Sequence, residues 1–153
     1  MNRLTVEGDA YDLGACLGAL YVFRERGWKA LMSGVKRHGY VAVSDMFCKK
    51  IPPPKELMEV FFEEEEGGPA TLEDARRWYT DRGMEILREL ECSQKAWLNY
   101  YDLTRLMLQT LARKHVSDSE RRAEIEEALR EDLLFRKHGE EYVGYMTFIM
   151  RKT

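Results

Sequence analysis

A handful of side chains in this chain have the types and spacing that chemistry needs. His38, Asp45 and Cys48 carry groups that ligate metals, but their spacing matches no closed zinc pattern, and no metal site is expected. No histidine falls beside Cys16, Cys48 or Cys92 on the expected elements, so a Cys–His nucleophilic pair has no support. Tyr21, Trp97, Tyr100 and Tyr101 form an aromatic set that either lines a substrate pocket or fills a core. Asp45 closes a short apolar run, where it either orients a substrate hydroxyl or amine or caps the next segment. Leu17, Gly18, Ala19, Leu20 and Tyr21 come directly after an expected strand. In an open α/β sheet that is where ligands bind, although Gly14 and Gly18 also suit close backbone packing. His38, His115 and His138 each lie near an expected helix C-terminus, which favours a cation without any catalytic role.

The elements that must position these residues alternate in type. Residues 11–17 are small and apolar on both faces, which fits a buried strand; periodicity alone also allows a helix, which Gly14 and Gly18 disfavour. Trp28, Leu31, Met32 and Val35 recur at helical spacing, predicting a helix over 25–37 that Gly39 stops. Residues 40–44 are β-branched and apolar, a second strand. The three prolines at 52–54 mark a loop, and the acidic run with Gly67, Gly68 and Pro69 a charged connector. Thr71 caps a helix with an acidic first turn, which Gly83 ends, and 84–90 reads as a third strand. A long helix is expected from Ser93 to about Val116. Ser117, Asp118, Ser119 and Glu120 then form a capping box that launches another, which Gly139 stops after His138. Residues 142–150 are aromatic, β-branched and apolar on both faces, a central strand. Strand–helix alternation of this kind implies an open α/β sheet in one domain spanning 1–153.

The bulk numbers agree. The chain has 153 residues, enough for one core, and a net charge of −3 with both signs interspersed. That is no basic nucleic-acid footprint, so no nucleic-acid partner is expected. No apolar run reaches membrane-spanning length, the amino terminus is too polar for a secretory signal, and three scattered cysteines suit reduced thiols. No membrane partner and a cytoplasmic location are therefore expected.

Four segments in order resemble the later part of the class I S-adenosylmethionine-dependent methyltransferase fold. YDLGACLGALYVF (Tyr11–Phe23) is similar to the family's fourth strand and following loop, and ALMSGVKRHGYVAVSD (Ala30–Asp45) to the next helix, turn and fifth strand. TLEDARRWYTDRGMEILRELE (Thr71–Glu91) resembles the fifth helix and sixth strand, and EEYVGYMTFIMRKT (Glu140–Thr153) the last strand. AWLNYYDL (Ala96–Leu103) is similar to the start of a helical insertion in some small-molecule members. The resemblance implies a partial doubly wound, Rossmann-like sheet made of the later strands only. Its last strand is antiparallel, inserted between the second and third, and residues 93–138 form an inserted substrate cover.

It also implies S-adenosylmethionine as cofactor and a small-molecule methyl acceptor. Asp9, in the sequence Gly8, Asp9, Ala10, matches a family position that contacts adenine, and Leu17, Gly18 and Ala19 fall where the cofactor would lie. Tyr21, Asp45, Trp97, Tyr100 and Tyr101 would face the acceptor. The family's first-strand glycine turn and the ribose-binding acid of its second strand have no counterpart in these residues. The resemblance is thus to a C-terminal half, with weak or absent cofactor binding by this chain alone. An exposed edge on the 11–17 strand would then take a complementing N-terminal half or a second copy. The rival expectation is a non-catalytic interaction module derived from the half-fold.

Overall fold

The computed structural model of the chain describes residues 8–18, 20–62, 70–114 and 118–153, with the side chains of 21–24 outside that description. In chain order the elements are β1 (Tyr11–Cys16), α1 (Leu20–Gly34), β2 (Val35–Cys48), α2 (Lys55–Phe61), α3 (Leu72–Thr80), β3 (Met84–Glu91), α4 (Gln94–Lys114), α5 (Ser119–Leu134), a π-helical turn (Phe135–Gly139), α6 (Glu140–Tyr142) and β4 (Val143–Lys152). They form two compact units. One holds residues 1–47, 70–91 and 145–153, the other residues 48–69 and 92–144. The helical unit is thus wider than 93–138 and includes α2.

The first unit carries a four-stranded sheet in the order β1-β2-β4-β3. β1 and β2 are parallel, with Leu13 beside Tyr40, Gly14 beside Val41 and Cys16 beside Val43. β4 runs antiparallel to β3. It opposes β2 as well: late Lys152 donates to the Val35 carbonyl at the start of β2 (2.7 Å), while early Tyr145 meets Ser44 near its end (3.0 Å). The last strand therefore sits antiparallel between the second and third, as its sequence predicts.

Side chains alternate across a strand, so each strand sends its residues to two faces. Val41, Val43, Met146, Phe148 and Met150 all go to one face and are fully or nearly fully buried there. Helices α1 and α3 cover that face. Trp28 meets Trp78 edge-on at 5.2 Å and Tyr79 at 5.5 Å, and Tyr79 lies 5.0 Å from Phe148. Gly14 belongs to this face too, against the Leu31 side chain. The other face is open at β1, which is not the buried strand expected: Tyr11 is 54% exposed, Leu13 60% and, beside it on β2, Tyr40 48%, whereas Ser44 further along that face is buried.

Local chemistry explains the element ends. Thr71 caps α3 by accepting from the Asp74 backbone N–H, and Asp74 accepts in return from the Thr71 N–H, closing a capping box. Arg76 of α3 forks onto Glu89 of β3 with two 2.7 Å bonds, and that guanidinium holds the Glu89 carboxyl below its ordinary range.

The helical unit packs Leu57, Phe62, Tyr101, Leu108, Ile125 and Phe135 into its interior. Phe135 is the centre, 4.7 Å from Tyr101, 4.8 Å from Trp97 and 6.4 Å from Phe61. Asp132, 1% exposed, accepts from Arg105 and Arg136, so a buried carboxylate ties α4 to α5.

Several expectations from the sequence change. The first helix runs from Leu20 to Gly34, not 25–37, because Leu20 already packs into the core and the chain passes directly into β2 at Val35. Residues 36–39 bulge between the paired positions, with His38 at φ 62°, so neither Gly39 nor His38 marks a helix end. α2 escapes sequence reading because its short apolar spacing is hidden between the prolines and the acidic run, which at 63–69 lies outside the described residues. Asp118 caps α5 by accepting from the Arg121 N–H, one residue later than expected, and Ser117 and His115 lie outside the description. Gly139 does not stop that helix. It stays in helical geometry inside the π turn, and His138 there meets Glu56 of α2 at 3.2 Å.

A Cβ at Gly139 would fall 2.5 Å from the Phe135 ring, which the surrounding aromatics hold. Gly139→Ala should cost about 2 kcal/mol by overpacking and lower the melting temperature, measurable by calorimetry. Arg76→Met should cost about 1 kcal/mol at neutral pH. Because the Glu89 carboxyl is lowered in the folded state, the pair's contribution exists above the ordinary glutamate range and fades as pH falls through the depressed value. The gap between wild type and Arg76→Met in urea melts should therefore close in acid.

Candidate functional site

The polar groups suited to chemistry in the sheet unit gather at the carboxyl end of β1, where it stops beside Val43 of β2. The carboxyl ends of parallel strands are where open α/β sheets bind ligands. β1 stops at Cys16, and Gly18 turns the chain at φ +77°, a conformation that only glycine adopts without strain. The Gly18 backbone N–H donates to Ser44 Oγ at 2.7 Å, and Ser44 Oγ lies 3.0 Å from the Tyr145 hydroxyl. Ser44 is buried, so the turn after β1 is fixed to the second strand and to the first residues of β4. Leu17 stands exposed on this turn. Ala19 lies outside the described residues, and Tyr21 belongs to α1 with its side chain undescribed. Burial pushes the Cys16 thiol up, which leaves it a poor nucleophile beside the turn.

The remaining sequence candidates are dispersed. Asp9 precedes β1, whereas Leu17 and Gly18 come after it. Six strand residues separate them, about 20 Å at about 3.3 Å each, so Asp9 cannot share their ligand. Asp9 instead faces Lys152 at 3.4 Å, at the opposite end of the sheet.

Asp45 points to the covered face. Its carboxylate accepts from the Met46 N–H at 3.0 Å and from the Tyr79 hydroxyl at 3.4 Å, inside the layer that α3 closes. Neighbouring Ser44 points to the other face, so a one-residue step separates the core contact from the site.

Trp97, Tyr100 and Tyr101 all lie on α4 in the helical unit, but they divide. Tyr101 is buried, stacked on Phe135, with its hydroxyl donating to Glu131 at 2.8 Å; burial and that carboxylate push its pKa up. Trp97 packs on the same ring. Only Tyr100 is exposed.

Sequence reading misses Ser44 and Tyr145 as partners. Ser44 is legible only as the end of a strand, and its pairing with residue 145 depends on the inserted last strand. Among the described residues no group of three or more His, Cys, Asp or Glu side chains is placed to hold a metal ion, and no helix is long and apolar enough to cross a membrane.

No protein-family model matches the chain, and no curated protein matches it. Solved structures do. A methyltransferase from Geobacter sulfurreducens, solved with S-adenosyl-L-homocysteine, superposes with a TM-score of 0.77 at 16% identity, over 97% of this chain and 60% of that one. A second, from Thiobacillus denitrificans with the same ligand, gives 0.74 at 17%, over 97% and 60%. The 4+2 cyclase SpnF gives 0.64 at 16%, over 97% and 52%. The fold is therefore that of class I S-adenosylmethionine-dependent methyltransferases, in partial form. The chain spans about 60% of the length of the methyltransferase chains it matches.

Removing the acceptor that holds the turn leaves the part-buried Gly18 amide without its partner. Ser44→Ala should cost about 1–2 kcal/mol and speed hydrogen exchange at the Gly18 amide, while Tyr145→Phe should do less to both. Unchanged Gly18 exchange in Ser44→Ala, read by NMR, would show that the turn is held otherwise.

Proposed function

We propose that this chain supplies the carboxyl-end portion of an S-adenosylmethionine-dependent methyltransferase acting on a small molecule. One observation carries the reading: the Leu17–Gly18 turn is anchored by Ser44 and Tyr145 at the carboxyl end of β1, in a fold shared with enzymes solved with S-adenosylhomocysteine. Leu17, Gly18 and Ala19 would lie against the cofactor, which supplies a methyl group on a sulfonium. Asp9 has no part, being a strand's length away. Transfer to an acceptor atom is an in-line displacement that needs alignment and exclusion of water more than an acid–base pair. The chain's own contribution is accordingly geometric. Ser44 and Tyr145 fix the turn; in the helical unit, Tyr100 is the exposed aromatic of α4, with Trp97 and Tyr101 packed on Phe135 behind it. Asp45, taken up by Tyr79, shapes the strand rather than the acceptor. Three free thiols suit a reducing compartment, which we take to be the cytoplasm.

A second reading, a non-catalytic interaction module, is favoured by the open apolar face at β1. SpnF, a cyclase on the same fold, illustrates that fold alone does not fix chemistry.

Calorimetry with S-adenosylmethionine tests the first reading. The 153 residues contain no Gly-x-Gly pattern of the kind the family uses to approach the cofactor, and the reading assigns no acidic partner for its ribose. Several directed hydrogen bonds at roughly 0.5–1.5 kcal/mol each are absent with them, so binding should be weaker by orders of magnitude than in a complete site. At millimolar S-adenosylhomocysteine the NMR shifts that move should be those of Leu17 and Gly18. Shifts confined elsewhere, or none, would favour the interaction module. Tight stoichiometric binding would show that the turn alone suffices.

A further inference from the structure

The helical unit contains one long helix that its own core uses on one side only. In α4, Tyr101 and Leu108 are buried. At about 100° per residue, Asn99, Leu103, Leu106 and Thr110 fall within about 30° of the line opposite them, and Tyr100 and Met107 flank that line on one side. Leu103 is 70% exposed, Leu106 62%, Tyr100 58% and Met107 56%. This arc is uncharged from Ala96 to Thr110, and Asp102 at its edge accepts from Arg136 at 2.6 Å. Its two ends are basic. Lys95 precedes the arc, and Arg113 and Lys114 follow it, all three exposed. They lie within about 50° of the same line, and about 28 Å of helix separates the first from the last. An exposed apolar patch with a polar rim marks an interaction surface.

Charge separates the occupants that such an arc could take. A second copy laid along α4 would cover the leucines. An antiparallel pair, however, sets Lys95 at the level of Arg113 of the other copy, on the same side of the seam, and a parallel pair sets each cation beside its own equivalent. A planar anionic surface matches every part at once. A helix lying in the plane of a bilayer buries its apolar arc at the boundary of headgroups and acyl chains, while lysines and arginines at its ends reach the lipid phosphates. A tyrosine at the side of the arc suits the same boundary. On neighbouring α5, Glu126 pairs with Arg122 and Glu127 with Arg130, which limits repulsion from that helix. The net charge of −3 conceals the feature, because the basic ends and the apolar arc belong to one helix.

We infer that α4 is an interfacial helix: its Tyr100, Leu103, Leu106 and Met107 face docks on an anionic lipid bilayer, with Lys95, Arg113 and Lys114 on the headgroups. The inference goes beyond the methyltransferase reading and does not depend on it. Four large side chains and three cations make a reversible, salt-sensitive attachment, not a permanent anchor.

The test is flotation of the 153-residue chain with vesicles of phosphatidylcholine and phosphatidylglycerol in equal parts, and with vesicles of phosphatidylcholine alone. The anionic vesicles should carry the chain and the neutral ones should not. Lys95→Gln and Lys114→Gln should each weaken binding about fivefold, and raised salt should release the chain. Leu103→Glu should weaken it at least about tenfold, and Leu106→Gln severalfold, with the melting temperature of the chain unchanged by either because both positions are exposed. Leu13→Glu, at the exposed apolar position on β1, should bind as the wild type does. A chain that floats with neither vesicle, floats equally with both, or keeps its affinity in Leu103→Glu would overturn the inference. Loss of flotation in Leu13→Glu would overturn it too, by moving the contact to the sheet unit. A dimer in sedimentation that Leu103→Glu dissociates, without vesicle binding, would give the face to a second copy instead.

Discussion

Everything in the sheet unit depends on which way alternate side chains of β2 and β4 point. Val41 and Val43 from one strand, and Met146, Phe148 and Met150 from the other, converge on a single face. The rings of Trp28, Trp78 and Tyr79 close over them. A register slip of one residue in either strand would turn this set to the other side and bring Tyr40, Ala42 and Ser44 inward. The same alternation that builds the core therefore aims Ser44 at Gly18 and Tyr145, and Asp45 at Tyr79. Core and site are two faces of one backbone decision.

The helical unit solves a different problem. Its helices have no sheet to lean on in their own interior and are organised by one ring, Phe135, and one carboxylate, Asp132. The π turn admits an extra residue per turn and sets Gly139 directly under the ring. Asp132 is almost fully buried, yet Arg105 and Arg136 satisfy it, and Arg136 reaches on to Asp102 at 2.6 Å. Such a cluster is weak evidence of net stability, but breaking one member strands a buried charge. It fixes how α4 and α5 sit against each other, and with them which of Trp97, Tyr100 and Tyr101 faces solvent.

Much of this is legible in the sequence, and the failures have physical causes. The strand near 142–150 announces its central place because neither of its faces is polar, and Thr71 with Asp74 announces a capping box that both side chains make. Helix boundaries are less legible. Leu20 to Phe23 follow directly on a strand and fall outside the expected helix, whereas the chain is already helical at Leu20. Gly139 and Gly39 look like stops, yet one is required by a ring four residues earlier and the other lies in a strand bulge. The candidate site divides along the same line. The Leu17–Gly18 turn can be found because it comes after a strand, whereas the Ser44–Tyr145 contact spans 101 residues and needs the strand order. Asp9 is misplaced because sequence proximity to β1 does not say which end of the sheet it serves.

The one-sided core has a consequence for the order of events in folding. Trp28, Tyr79 and Phe148 can be buried without anything on the opposite face, so the hydrophobic collapse of this unit does not wait for a ligand site to be complete. A ligand that binds only the folded unit would stabilise it afterwards, by mass action, and contribute nothing to the first collapse. A chain built this way acquires its packing on one side of the sheet and carries the anchored Gly18 turn at the rim of the other.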